Sequence, residues 1–405
     1  MPECSIIIPV YNKWELTQAC LASLHEHTAG CDIEVIVADN GSSDATACEL
    51  TPFGEQLFGS RFHAVVFPEN RNFGPACNAG ARSATSPVLF FLNNDTIMTP
   101  DWLPPLLEAL SSVDVVGPLL LYENGTVQHL GIAYGAWGPL HLYQEFPADH
   151  PVVAKPRDLQ CLTGAALMLR AETFHDCGGF YEEYRNGFED LDLCVQLRKR
   201  NKVLRCVPAS RVYHLESRTP GRKDWETQNS ELFTRRCGKD ALIDLHHHAL
   251  RDGFSIFITD LFTIGVKLKE KDERSLNAEA AGKDAAVVLR LTETNPYWIG
   301  GREVLSRSLE QAGRPEDAVP FRIALAEIEP TISRYKDLLN LAPLVKETVW
   351  LPATEKYMTT ILRYASDIRW GKIVLKQLRQ RMKPGGDPFL EDLLAAKLRA
   401  MFPEG

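Results

Sequence analysis

The sequence predicts an α/β protein, a doubly wound and mostly parallel sheet, followed by an all-α C-terminal part. Three observations predict it. Four apolar runs of strand length, at residues 4–10, 33–38, 62–67 and 88–92, alternate with stretches that read as helix or turn. Three of the four end directly in polar residues, as parallel strands do where ligands gather at their carboxyl ends. From residue 274 to the end the chain reads as nearly all helix, broken at Asn295-Pro296, Gly313-Arg314-Pro315, Pro330 and residues 383–386.

The first run ends at Pro9-Val10-Tyr11-Asn12, and residues 13–27 form an amphipathic helix with Trp14, Leu21 and Leu24 near one face. The second ends in Asp39-Asn40-Gly41-Ser42-Ser43-Asp44, a cluster of turn formers and N-cap residues that starts a helix. Behind the third comes Glu69-Asn70-Arg71-Asn72-Phe73-Gly74-Pro75, opening a helix that carries Asn78. The fourth, apolar throughout as a fully buried strand is, stops at Asn93-Asn94-Asp95-Thr96. This order implies parallel strands with right-handed crossovers. A helix over 101–110 and a strand over 113–116 follow, then residues 118–160, rich in Gly, Pro and aromatics, which read as irregular or antiparallel and able to line a cleft. Thr163-Gly164-Ala165-Ala166 are small residues that allow close backbone approach. The loop from Gly178-Gly179-Phe180 to Gly187 leads to a helix starting near Glu189, with Leu191, Cys194, Val195 and Leu197 as its buried stripe. Val212-Tyr213-His214 ends another β-run.

At 405 residues the chain has room for two domains. The expected division is 1–240, a connecting helical segment 241–273, and a helical domain 274–405. The net charge of −9 argues against a nucleic-acid binder. All ten cysteines lie between Cys4 and Cys237 without zinc-ligand spacing, and no signal peptide precedes them, so they read as reduced thiols of a cytoplasmic protein. Residues 254–266 are the most apolar window, yet short and carrying Asp260, so they read as a packing helix rather than a membrane span. Lys267, Lys269 and Lys271 leave peripheral membrane contact open. Leu305, Leu309, Gly313, Ala318 and Pro330 loosely match one tetratricopeptide-type helix pair.

Asp95, a short acid at a strand end, is placed to hold a divalent cation against a phosphate. Neither Gly-x-Gly-x-x-Gly after the first strand nor a P-loop motif occurs, which disfavours dinucleotide and P-loop enzymes. Asp39 suits a base or ribose donor and Tyr11 a base face, although an N-cap and a packing role are the ordinary uses of such residues. Glu189, Asp190 and Asp192 in one first turn complement a helix dipole. The preceding Gly187 also allows one of them to face a cleft as a general base. His214 is either a metal ligand or a structural hydrogen-bonder. Arg218, Arg222 and Lys223 read as a diphosphate-contacting flap or a solvated basic loop.

Taken together these segments resemble the inverting family 2 glycosyltransferases of GT-A fold, especially the rhamnosyltransferase-like branch. The resemblance rests on Ile8 to Asn12, Val37 to Asp44, Asn70 to Asn78, Phe91 to Thr96, Gly178 to Phe180, Glu189 to Cys194 and His214, in that order. It implies donor binding by Pro9, Val10, Tyr11, Asn12, Asp39, Asn40, Ser42, Asp44, Arg71, Asn72, Gly74, Asn93, Asn94, Asp95 and Arg222. It implies a metal, Mn²⁺ or Mg²⁺, at Asp95 and His214, with Asn93 standing where the motif's first acid usually is. Asp190 matches the catalytic base, and Glu189 a residue that orients acceptor or base beside Gly164 and Ala165. The implied reaction moves a sugar from a UDP- or dTDP-linked donor to a hydroxyl of a glycan, glycolipid or protein-linked acceptor, by single displacement with inversion. The helical tail is then expected to bind acceptor or support a homodimer. A catalytically silent interaction module and a nucleotidyltransferase are the rival classes.

Overall fold

A computed structural model describes residues 1–215, 222–382 and 386–403, except the side chains of residues 222 and 223. The chain forms two units, one of Met1–Ala133 with His141–Ala241, the other of Tyr134–Leu140 with Leu242–Gly405.

In the first unit, β1 (Cys4–Val10), α1 (Trp14–Glu26), β2 (Ile33–Asp39), α2 (Thr46–Phe58), β3 (Phe62–Val66), α3 (Phe73–Ser83) and β4 (Val88–Leu92) follow the expected alternation. Then come β5 (Thr96–Met98), α4 (Leu103–Leu110), β6 (Val115–Leu121), β7 (Val127–His129), β8 (Ile132–Tyr134), β9 (Pro139–His141), β10 (Arg157–Leu159) and β11 (Ala166–Arg170); of β8 and β9, residues 134 and 139–140 count with the second unit. α5 (Ala171–Asp176), α6 (Glu189–Lys199), β12 (Leu204–His214) and α7 (Glu226–Cys237) complete it. The main sheet runs β10-β12-β6-β11-β4-β1-β2-β3, with β5 on β12 and β7 on β6. β1 pairs in parallel with β2 and β4, and β2 with β3. That is the doubly wound half. The other half is mixed, because β11 enters antiparallel to both β4 and β6. It is reached through loops rather than a crossover helix, so nothing forces it parallel. The strand expected over 113–116 runs on as β6 to Leu121, into the stretch read as irregular or antiparallel.

Every residue of β1 and β2 is buried, as a sheet covered on both faces requires. Phe90 stacks on Trp102 at 5.0 Å between ring centroids, and Phe91 on the other face meets Phe174 at 4.7 Å and Phe180 at 5.0 Å. Each such ring adds roughly 1.5–3 kcal/mol through burial. At the opposite end of the strands from the candidate site, buried Glu34 accepts hydrogen bonds from Ser5, from the Thr85 N–H and hydroxyl, and from the Ser86 N–H. The ten cysteines are all free and seven are buried.

The second unit contains α8 (Leu245–Arg251), β13 (Ser255–Ile258), β14 (Ile264–Lys267), α9 (Glu270–Ala280), α10 (Ala285–Thr294), α11 (Ile299–Gln311) and α12 (Pro315–Ile328). α13 (Ile332–Leu341), α14 (Leu351–Ser366), α15 (Ile368–Arg379) and α16 (Pro388–Met401) follow. The breaks expected at Asn295-Pro296, Gly313-Arg314 and Pro330 fall between helices, and Pro315 is the first residue of α12; residues 383–385 lie outside the described residues. Residues 254–266 are not a helix. They fold as the antiparallel pair β13–β14 around a turn in which Phe262 has a positive φ of 56°, and Phe254, Ile258, Phe262, Ile264 and Val266 are buried. Alternating Ile and Phe with a turn between them is a period-two pattern. Residues 134–140 belong to this unit: the Tyr134 N–H donates to Asp244 Oδ1 at 2.7 Å and Arg381 to the Ala136 carbonyl at 2.7 Å. Among the described residues no helix is long and apolar enough to cross a membrane.

Candidate active site

The loops after β1, β2 and β3 are tied to one another. Asn12, in the left-handed region at φ 55°, donates its N–H to Ser42 Oγ at 2.7 Å. Its Oδ1 accepts from the Ser43 and Asp44 N–H groups at 2.8 and 3.3 Å. The Asp44 carboxylate accepts from Trp14 at 3.1 Å and Thr46 at 3.0 Å. Burial pushes the Asp44 carboxyl up, but the Thr46 hydroxyl and the N–H groups of Trp14, Thr46 and Lys13 outweigh it and hold it below the usual range. Asn40 accepts from the Arg71 N–H at 3.2 Å and donates to the Asn72 carbonyl at 3.3 Å. At Gly41, φ +73°, a Cβ would lie 2.9 Å from the Glu69 backbone, so this turn admits only glycine. Asn12, Asn40, Ser42 and Asp44 thus hold the crest together, with Pro9 and Val10 buried beneath it. Tyr11, 45% exposed, keeps an open ring face. Buried Asp39 accepts from the Ser42 N–H on Oδ1 at 2.9 Å, which leaves Oδ2 for a ligand. A Cβ on Gly74 would make ordinary van der Waals contact with Phe180 Cβ, at 3.4 Å, so packing does not demand glycine there. Arg218 and the side chains of Arg222 and Lys223 lie outside the described residues.

At the end of β4 the polypeptide brings Asp95 to His214, 119 positions away in the chain. The antiparallel pairing of β5 with β12 does this, setting Thr96 opposite His214. His214 Nε2 lies 3.1 Å from Asp95 Oδ1 and 3.4 Å from Asn93 Nδ2. The other ring nitrogen, Nδ1, is 2.7 Å from Gln128 Oε1, and the Gln128 amide donates to the His214 carbonyl at 3.0 Å. An amide oxygen only accepts, so Nδ1 carries a proton and the neutral ring turns the Nε2 lone pair toward the carboxylate. Lone pair and carboxylate repel unless the ring is protonated or a cation sits between them. Two ligands on an octahedral cation with bonds of about 2.1 Å stand about 3 Å apart, which the 3.1 Å spacing matches. The residues therefore fit a divalent cation. Asn94 turns away, donating its amide to Thr17 at 2.9 Å.

The three acids of α6 have three different environments. Asp192, 1% exposed, accepts from Tyr184 at 2.8 Å and from Arg236 Nε at 2.5 Å, a buried structural ion pair. Glu189 is buried and folds back onto the Gly187 N–H at 2.7 Å. Asp190 alone is half-exposed. Its Oδ2 accepts from the Gly164 N–H at 2.9 Å and its Oδ1 from its neighbour Leu191 at 2.8 Å. Ala165, expected at the acceptor, is buried, and its carbonyl accepts from the Asn93 N–H at 2.9 Å. Gly164 and Ala165 thereby join the base candidate to the metal motif. The loop before α6 is clamped by buried Asn78, which donates to the Phe180 carbonyl at 2.8 Å and accepts from its N–H at 2.9 Å.

Sequence reasoning missed Gln128 and its neighbour His129. Both sit on β7, within the stretch read as irregular or antiparallel, and nothing local marks them. His129 Nε2 accepts from the Thr163 N–H at 3.3 Å, so its proton is on Nδ1, 2.9 Å from His141 Nδ1. Burial, then the charges of His141 and His214, push its pKa far down and keep it neutral.

Residues 5–178 match the family model "Glycosyl transferase family 2". The chain is 30% identical over 234 residues to an uncharacterized protein of Sinorhizobium fredii, covering 55% of this chain and 25% of that one. It is also 30% identical over 225 residues to the O-antigen biosynthesis protein RfbC of Myxococcus xanthus, covering 53% and 17%. The chain thus spans a quarter or less of these relatives' length. Among solved structures, S. aureus TarS in complex with UDP-GlcNAc superposes with a TM-score of 0.45 at 15% identity, over 90% of this chain and 92% of that one.

Proposed function

We propose, from the premise that residues 5–178 are a family 2 glycosyltransferase domain, that the chain transfers a sugar from a nucleoside-diphosphate donor to an acceptor hydroxyl. The donor is UDP- or dTDP-linked, and the acceptor a glycan, glycolipid or protein-linked sugar. The observation that carries this reading is the half-exposed Asp190 carboxylate, joined through Gly164 and Ala165 to the Asn93–Asp95–His214 cluster.

Tyr11 offers a face for the base, and Asp39 Oδ2 an acceptor for a base or ribose donor. When bound, a divalent cation at Asp95 and His214 supplies Lewis-acid stabilisation of the diphosphate's growing charge. Asp190 takes the acceptor hydroxyl's proton as that oxygen bonds to the anomeric carbon. The carbon–oxygen bond to the diphosphate breaks on the opposite face, its electron pair leaving with the phosphate, so the anomeric carbon inverts. The Gly164 N–H holds the carboxylate in place, and Glu189 stiffens the turn before it. The second unit carries none of these residues, which supports a role for it in recognising the acceptor.

A panel of nucleotide sugars, screened for protection against thermal unfolding with Mn²⁺ and with chelator, tests the reading. A UDP- or dTDP-sugar should raise the melting temperature only with the cation. No shift with any member would overturn it.

A further inference from the structure

We propose that His246, His247 and Asp387 form a site for a divalent cation of the Zn²⁺ class, made from residues wholly different from Asp95 and His214. Successive residues on a helix point about 100° apart and do not ordinarily meet one partner. Here the adjacent His246 and His247 rings of α8 have centroids 3.9 Å apart. Both reach one carboxylate oxygen: Asp387 Oδ2 lies 2.6 Å from His246 Nε2 and 3.6 Å from His247 Nε2. Among the described residues this is where three metal-ligating side chains converge, their ligand atoms within 4.8 Å of one another.

Asp387 also caps α16, and its Oδ1 accepts from the Leu390 N–H at 3.1 Å. That bond aims Oδ2 at the imidazoles. Capping alone needs one oxygen and no histidine. His246 is 1% exposed and its Nδ1 has no hydrogen-bond partner among the described residues, so the Nε2 edge on Asp387 is the ring's polar anchorage. A tetrahedral Zn²⁺ with bonds of about 2.0–2.2 Å sets its ligand atoms roughly 3.3–3.5 Å apart. The two observed separations, 2.6 and 3.6 Å, bracket that value. Two imidazoles and a carboxylate suit Zn²⁺ and leave a fourth position for water. The His247 side chain, 47% exposed, gives the ion a way in. A bound ion would clip α8 to α16 across 141 positions of chain, the kind of long closure that stabilises most.

This inference does not depend on the transferase reading. The full chain carrying Asp95→Ala, stripped with chelator, is dialysed against Zn²⁺ or Co²⁺ and its metal content measured, with visible absorption recorded for Co²⁺. That chain should retain one ion, show the absorption of a four-coordinate Co²⁺ site, and melt at a higher temperature when loaded. Adding His247→Ala, or Asp387→Asn, which keeps the helix cap, should weaken retention by roughly tenfold or more. Circular dichroism confirms that each variant is folded. An Asp95→Ala chain that is folded yet retains no ion, or retention unchanged by both added substitutions, would overturn the site.

Discussion

The Asp190 carboxylate is held by the backbone N–H of Gly164, 2.9 Å from Oδ2, and a side chain on that residue would press on it. A Cβ at Gly164 would lie 3.2 Å from Asp190 Cβ and 3.3 Å from Phe73 Cζ. Position 164 therefore sets where the proposed base stands.

Gly164→Ala should leave the fold and donor binding intact while lowering kcat. The neighbours must give by a few tenths of an ångström, a fraction of the ~1 Å misplacement that costs ~10²-fold, so a loss of up to ~10-fold is expected. Steady-state kinetics with donor and acceptor varied separately checks this; an unchanged kcat would show that the contact does not position the base.

Nucleotide affinity should depend on a divalent cation, and Asp95→Ala should weaken that dependence far more than Asn93→Ala. Only Asp95 carries charge in the tripeptide, and its oxygen is the one 3.1 Å from His214 Nε2. Calorimetric titration of nucleoside diphosphate in Mn²⁺, Mg²⁺ and chelator measures it. Equal affinity in all three would remove the metal from the account.

Gln128 fixes the tautomer of His214 through two reciprocal hydrogen bonds. Gln128→Ala should weaken cation binding about 10–100-fold, as loss of an outer-shell partner does. Mn²⁺ titration followed by electron paramagnetic resonance reads this without any turnover. Wild-type Mn²⁺ affinity in the variant would mean that His214 needs no orienting partner.

Acid stability has an identifiable source in Glu34. Burial pushes its carboxyl up, but hydrogen bonds from Ser5, Thr85 and Ser86 outweigh burial and hold it below the usual range. A carboxyl depressed on folding stabilises fully above its unfolded value, about 4.3. That stability is lost as the pH falls through the folded value. Glu34→Gln should cost about 1–2 kcal/mol at pH 7, because charge-assisted bonds become neutral ones. The difference from wild type should shrink toward pH 3. Denaturant melts at both pH values check it, and a constant difference would contradict the linkage.

The parallel half of the sheet was legible because each of its strands is a short apolar run that stops at a polar cluster. The same stops marked Asn12, Asp39 and Asp95, and the acidic first turn behind Gly187 marked Asp190. What stayed hidden depends on pairings between distant segments. Nothing local tells Asp192, buried against Arg236, from Asp190 two residues earlier, since both sit in one acidic first turn. Gln128 meets His214 only because β7 and β12 both flank β6. The β13–β14 pair was read as a helix, since a short apolar window does not reveal its period when both faces are partly covered. Residues 134–140 cluster with the second unit although they lie deep within the first unit's sequence, so no single cut in the chain separates the two.

The central claim is that Asp190 is the base, and Asp190→Asn tests it most directly. Asparagine keeps the size of the side chain and an oxygen to accept from Gly164, but it cannot take a proton. Single-turnover transfer from a donor identified in the thermal screen should fall ~10²–10⁴-fold, while calorimetry shows unchanged, cation-dependent donor binding. Transfer near the wild-type rate in that variant would contradict the account.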